Sequence, residues 1–449
     1  MTKDMTSGNP MKLILQFTVP LLMGNLFQQM YNLVDSIIVG RAVGIKALAS
    51  VGASSSITFL IIGFVMGSCS GFAIPVAQSF GARRESDMRK YVFNSMLLVT
   101  LLAAIVTAVT SLLCRNILIW MGTPEDILQG AYDYLIVIFL GIPFTFLYNI
   151  LSGIIRSLGD SRTPFIFLVI STVLNIVGDL FFILCLHMGV MGAGLATIIA
   201  QAISGLLCLI YMINHYKILR MKAGERKLEG RRLLHLLNLG IPMGLQFSIT
   251  AVGSIMLQSA VNGLGSAAVA AYTAAIKIKQ VAMCPYDAIA NAMATFGAQN
   301  LGANKLNRIK RGLKDSLMVG ALYSVFAGII LNLYGGTIAT LFVEKSNIEI
   351  LAKTQQYLGT IGCFYVFLAF LNILRCTIQG LGYSGPAFFA GVFEMIARTG
   401  MAVFVIPVYG YTAACFTDPT AWISATIFLF PLFFYTMRRL EKKVQNCGD

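Results

Sequence analysis

The chain has 449 residues, 57% of them hydrophobic and only 12% charged, with a mean hydropathy of +0.78. This composition excludes an ordinary soluble domain, so the formal net charge of +14 needs an explanation other than nucleic-acid binding. Short segments of alternating hydrophobicity, the mark of a membrane β-barrel, do not occur, and an all-α integral membrane protein is expected.

Apolar runs and their breaks predict twelve transmembrane helices, at 11–39, 47–80, 92–121, 127–156, 163–186, 190–216, 233–262, 268–300, 313–343, 347–379, 386–408 and 411–437. Several exceed the roughly 20 residues that cross a bilayer, so tilt or extension beyond the lipid is expected. The first span carries Asn25, Gln28, Asn32 and Asp35 at steps of three and four, all on one helix face. The fifth contains FIFLVISTVLNIVGDLFFILCL, whose one ionisable group is Asp179, with Ser171 and Asn175 on the same face. A carboxylate at mid-membrane costs about 2.5–3.5 kcal/mol on insertion scales, and so is normally paired, buried in protein or functional. The sixth span opens GVMGAGLATIIAQ, where Gly192 and Gly194 allow close backbone approach and Thr197 adds a hydroxyl.

The seventh span repeats the polar stripe of the first, with Gln246, Thr250, Ser254, Gln258 and Asn262 at steps of four. Such stripes favour a wet cleft over interhelical hydrogen-bond glue, and make Gln28, Asn32, Gln246 and Gln258 candidates for a substrate cavity. The eighth carries Lys277, Lys279 and Asp287, with Met283 and Met293 beside the acid. Flexible thioethers suit a promiscuous cavity, so Met283, Asp287 and Met293 join the candidates. Lys277 and Lys279 lie two apart and cannot face the same cavity; either one lines it. In the eleventh span Glu394 and Arg398, at i and i+4, read as a structural ion pair, with Arg375 of the tenth free to answer Asp287 or Glu394. Pro20, Pro143, Pro242 and Pro285 are expected bends.

The basic residues explain the net charge. Most of the 33 lie in loops that share a side: Lys3 and Lys12, Arg83 to Lys90, Arg156 and Arg162, seven in 217–232, five in 305–314, and four beyond 437. This is the positive-inside bias, which predicts both termini in the cytoplasm and a plasma-membrane location. A basic loop beside a membrane meets anionic lipid, so the bilayer is the expected partner and nucleic acid is not. The longest such loop, 217–232, falls at the midpoint. It divides an N-lobe (1–216, helices 1–6) from a C-lobe (233–437, helices 7–12), with a tail at 438–449. No cleaved signal is expected, because the first span is too long and no small-residue cleavage site follows. Nine scattered cysteines without a CxxC pair read as packing residues, and three histidines near helix ends suggest no haem or metal centre.

The halves match each other at an offset of about 221. AQSFGAR at 77–83 answers AQNLGAN at 298–304, Gly44 answers Gly265, and, with a two-residue drift, SLGDS at 157–161 answers GLGYS at 380–384. Two parallel six-helix repeats are typical of alternating-access transporters. The acids do not repeat: Asp35 and Asp179 fall opposite Met256 and Gly400. Asp35, Asn175, Asp179 and Thr197 together offer the hard oxygens a Na⁺ site needs; equally, two close carboxylates would share a proton.

At these positions the chain resembles the multidrug and toxic compound extrusion (MATE) transporters, in a prokaryotic DinF-like or MepA-like branch, over essentially its whole length. The resemblance rests on VPLLMGNLFQQMYNLVDSIIVG, the two AQxxGA segments, RSLGDSRTP, and Asn175–Asp179 with Thr197 downstream. It implies twelve helices in two lobes and secondary efflux of amphiphilic, often cationic small molecules against Na⁺ or H⁺. It also implies an ion site at Asp35, Asn175, Asp179 and Thr197, in a monomer without other cofactors. NorM-like members carry acids in spans 7 and 10, where this chain has Thr250 and Phe370, so the C-lobe is not expected to couple ions. A lipid-linked oligosaccharide flippase of the same superfamily is the alternative. A membrane-embedded transferase is remote, because no clustered carboxylates for Mg²⁺, HExxH or GxSxG is present in a suitable setting, and no enzyme activity is expected.

Overall fold

Long apolar runs with few breakers fold as long helices, and the positions where glycine interrupts them set the corners. The computed structural model describes residues 2–446; Met1 and 447–449, the end of the expected tail, lie outside the described residues. Thirteen α-helices follow in order: α1 (Pro10–Ala42), α2 (Ile45–Gly81), α3 (Glu85–Trp120), α4 (Glu125–Leu140), α5 (Ile142–Ser157), α6 (Arg162–Asp179), α7 (Gly189–His215), α8 (Gly230–Asn262), α9 (Ser266–Gly302), α10 (Leu306–Ala339), α11 (Ile348–Gly380), α12 (Ser384–Gly400) and α13 (Ile406–Gln445). No strand occurs among the described residues.

Nine helical elements are long and apolar enough to cross a membrane, and ten if the bent pair α4–α5 counts as one span. That pair is the fourth expected span, broken at Gly141 beside Pro143 and bent by 46°. The element running from Ser384 to Gln445 holds two spans, turned at Gly410, whose φ of 61° is open to glycine. With α9, which carries Lys277, Lys279 and Asp287, this gives twelve helical spans.

The backbone repeats as the sequence does. Left-handed residues recur at matching points: Gly44 with Gly265, Arg83 with Asn304, Gly159 with Gly382, and His187 with Gly410. A π-helical turn follows α6 at Leu180–Cys185, and another follows α12 at Met401–Val405. The π turn therefore belongs to the repeat, since it accompanies Gly400 as readily as Asp179.

Two compact units divide the chain, and the division departs from the expected 1–216 and 233–437. The first unit comprises the segment ending at Asp4 and Met23–Gly244; the second comprises Met5–Leu22 and everything from Leu245. The first half of α1 thus packs with the C-terminal helices, where Ile14 and Phe17 join the core, and the first half of α8 packs with the N-terminal ones. Glycines explain the second exchange. A Cβ at Gly67 would stand 2.6 Å from Met243 O, and one at Gly71 would stand 2.5 Å from Gly240 Cα. Paired small residues four apart let α2 and α8 touch backbone to backbone.

Each unit has its own core. In the first, α5 is buried almost all round, with Phe146, Ile150, Leu151, Ile154 and Ile155 fully enclosed. In the second, α11 takes that place among Tyr286, Phe296, Tyr365 and Trp422. The expected linker at 217–232 is strapped to the first unit. Arg89 on α3 grips Glu225 with two bonds, of 2.7 and 2.9 Å, and Arg232 reaches Asp87 at 2.7 Å. The Arg89 guanidinium, with the Lys222 amide, holds the Glu225 carboxyl down at about 2. The segment before α1 is held in a matching way by the second unit: Gln299 accepts from the Met5 amide, and Arg308 donates to Gly8 O.

Candidate functional site

Three helices of the first unit bring the predicted ion-site residues together. Asp179, the last residue of α6 before the π turn, is fully buried, and Asn175 one turn earlier is 2% exposed. Asp35, half-buried on α1, lies within hydrogen-bonding reach of Asp179. The Asn175 amide donates to Thr197 Oγ1 on α7 at 3.1 Å, and that hydroxyl donates to Ala193 O at 3.1 Å. Small residues set the spacing: a Cβ at Gly178 would come within 3.0 Å of Ala196 Cβ, so α6 and α7 approach beside the site. On the other side, Gly24 and Phe27 of α1 pack against Leu168 and Phe165 of α6.

Two tyrosines complete the site, and sequence reasoning missed both. The Tyr31 hydroxyl lies 3.3 Å from Thr197 Oγ1, which already donates to Ala193, so Tyr31 is the donor. Tyr134 of α4 packs beside the site, against the small cluster that holds Val39, Ile183 and Ala193. Tyr31 was findable, since it precedes Asp35 by four residues on the same stripe. Nothing in the pattern of α4 marks Tyr134. Asp179 and Asp35 lie within hydrogen-bonding reach of each other. Two carboxylates so close in a low-dielectric interior repel unless a proton or a cation stands between them. Oδ1 of Asp35 is buried and accepts no hydrogen bond among the described residues. Hard oxygens from Asp35, Asp179, Asn175 and Thr197 have the character a small monovalent cation takes. Among the described residues no group of three or more His, Cys, Asp or Glu forms a metal centre.

The second unit handles its charges differently. Asp418 of α13 accepts from Lys279 at 2.6 Å, Tyr357 at 2.7 Å and Arg398 at 3.0 Å. Glu394 lies between Arg375 at 2.9 Å and Arg398 at 3.4 Å. Asp287 accepts from Asn372 at 3.1 Å, and Asn372 in turn accepts from Arg375 at 2.6 Å. The expected pair Glu394–Arg398 is therefore the long side of a wider network, and the shorter bond of Arg398 goes to Asp418. Arg375 answers Glu394 directly and Asp287 through Asn372. Asp418 was overlooked, although an acid inside the twelfth apolar span signals itself.

Two of the substrate candidates are corrected by burial. Met293 is fully enclosed in the second core, close to Tyr286 and Phe296, and Gln246 is buried with its amide oxygen accepting from Gln379. Neither offers surface to a ligand. Asn32 is exposed; Gln28, Met283 and Asp287 are half-buried; Gln258 is half-buried and donates to Asn262 at 2.9 Å.

A duplicated fold of twelve helical spans, with polar stripes and ionisable groups within them, defines the class as a multi-pass membrane transporter. The MatE family model matches twice, at residues 20–181 and 242–404, once in each repeat. The chain is similar to the probable multidrug resistance protein YpnP of Bacillus subtilis (strain 168), 30% identical over 84% of this chain and 84% of the relative. To YoeA of the same organism, also described as a probable multidrug resistance protein, it is 29% identical over 86% and 84%. A solved structure described as the outward-facing conformation of a multidrug resistance MATE family transporter of the MOP superfamily superposes with a TM-score of 0.91, covering 98% of this chain and 99% of the other at 22% identity. The chain belongs to the MatE family.

Proposed function

We propose that this protein exports amphiphilic small molecules, many of them cationic, in exchange for Na⁺ or H⁺. It does so as a monomer in the plasma membrane with both termini in the cytoplasm. The observation that carries the reading is the approach of Asp35 to Asp179, two acids within hydrogen-bonding reach of each other beside Asn175, Thr197 and Tyr31. An arrangement that repels itself when empty of positive charge is suited to take up a proton or Na⁺ and to change state when it does. Such an ion drives transport only if the two conformations of the protein bind it with different affinity. Asp35 reaches the site from α1, and Asn175, Asp179 and Thr197 from α6 and α7, so occupancy bears on how those helices pack. The names of YpnP and YoeA support a multidrug substrate range. The test is efflux of a fluorescent cation from cells carrying Asp179→Asn. Efflux is expected to disappear while the amount of protein in the membrane is unchanged; undiminished efflux removes Asp179 from the mechanism.

A further inference from the structure

The geometry points to Lys277 of α9 as the group that recognises an anionic oxyacid, a carboxylate or a phosphate, on the transported amphiphile. The inference deepens the export reading and rests on it for the substrate's being carried. More than one helical turn inside the span ends of the second unit, the acids Asp287, Glu394 and Asp418 stand against the bases Lys277, Lys279, Arg375 and Arg398. The acids are all engaged. Asp418 holds Lys279 and Arg398, Glu394 holds Arg375 and Arg398, and Asp287 is tied to Asn372. Lys277 makes no hydrogen bond or ion pair among the described residues, and its side chain is exposed. Asp287 stands ten residues along the same helix, about 15 Å away, beyond ion-pair reach.

The face that Lys277 occupies is polar. The exposed residues of α9 are Ser266, Thr273, Lys277, Gln280, Val281 and Asn291, with one apolar side chain among them. On the neighbouring α10, exposure instead falls on Met318, Leu322, Val325, Phe326, Ile329 and Leu333, a surface made for lipid. Lys279, two residues on, turns inward to Asp418, so Lys277 is the one ammonium of the pair presented to solvent. An ammonium inside a span, on a polar face and with its own unit's acids engaged, attracts the missing negative charge from a ligand. The substrate so defined is an amphiphile that bears an acid group, including zwitterions.

Rhodamine B, with a free benzoate, and rhodamine B ethyl ester, with that carboxyl blocked, form a matched pair of probes. Equilibrium binding to the full-length protein in detergent is expected to favour the free acid by about tenfold, the scale of one charged contact. Lys277→Met should abolish the preference, and Lys277→Arg should retain it. Equal affinity of the unmodified protein for both dyes, or a preference that survives Lys277→Met, overturns the proposal. If the Lys277-dependent preference is found but neither dye crosses a vesicle bilayer under an imposed Na⁺ or pH gradient, anion recognition stands and the export reading falls.

Discussion

The two units share a backbone and differ in how they treat charge. In the first, two aspartates face each other beside hydroxyls and an amide. In the second, Asp418 is held by Lys279, Arg398 and Tyr357, and Glu394 by two arginines. The positions that match Asp35 and Asp179 are Met256 and Gly400, yet the left-handed turns and the π turn recur. Duplication thus kept the devices that shape the chain and let the chemistry diverge. An unbalanced pair is poised to change its charge, whereas a balanced network resists change and holds helices together.

That contrast is open to attack by mutation, and the largest effect belongs to the second unit. Asp418→Ala would leave Lys279 and Arg398 buried without their shared partner, a loss of about 3–5 kcal/mol for a broken buried pair. The variant is expected to show a much lower melting temperature in detergent, or little folded protein at all. Asp179→Asn, by contrast, relieves the crowding of two acids and should melt no lower than the unmodified protein. Equal destabilisation by the two substitutions would erase the distinction. A smaller effect is expected at Thr197→Val, which removes the acceptor for Asn175 and Tyr31 while keeping the side-chain volume. Stability should fall by about 1 kcal/mol, and the ion concentration giving half-maximal transport should rise. An unchanged half-maximal concentration would exclude Thr197 from the ion's surroundings.

The smallest effect lies at the linker. Glu225 is held near 2, below the ordinary glutamate value of 4.5, so its bond to Arg89 favours the ordered linker above that value. The contribution is lost as pH falls from about 4.5 through about 2. A protease active in acid should spare the linker at pH 5 and cut it as pH approaches 3. Glu225→Gln should make the cutting independent of pH over this range; pH-dependent protection that persists in that variant assigns it to another group.

Much of the fold was legible because membrane spans announce themselves. Apolar length, positive loops and a repeated AQxxGA leave little choice beyond two runs of six helices. The break at Gly141 and the turn at Gly410 follow from glycine and Pro143. What the pattern concealed was which helices touch. Spacing reports the face a residue occupies and says nothing of the neighbour opposite, so the exchange of the first halves of α1 and α8 was invisible until Gly67, Gly71 and Gly240 met. For the same reason Asp35, Asn175, Asp179 and Thr197 could be nominated from composition and resemblance, while Tyr134 could not. Met293 misled because a methionine beside Asp287 in sequence turns to the core in space.

In the proposed export, the acid pair of the first unit is where ion and substrate movement are joined. Its most direct test is substrate transport in proteoliposomes with Na⁺ and pH gradients imposed independently, on the unmodified protein and on Asp35→Asn and Asp179→Asn. One of the gradients should drive transport in the unmodified protein, and neither should in the two variants. Gradient-driven transport that persists in the variants would contradict the account.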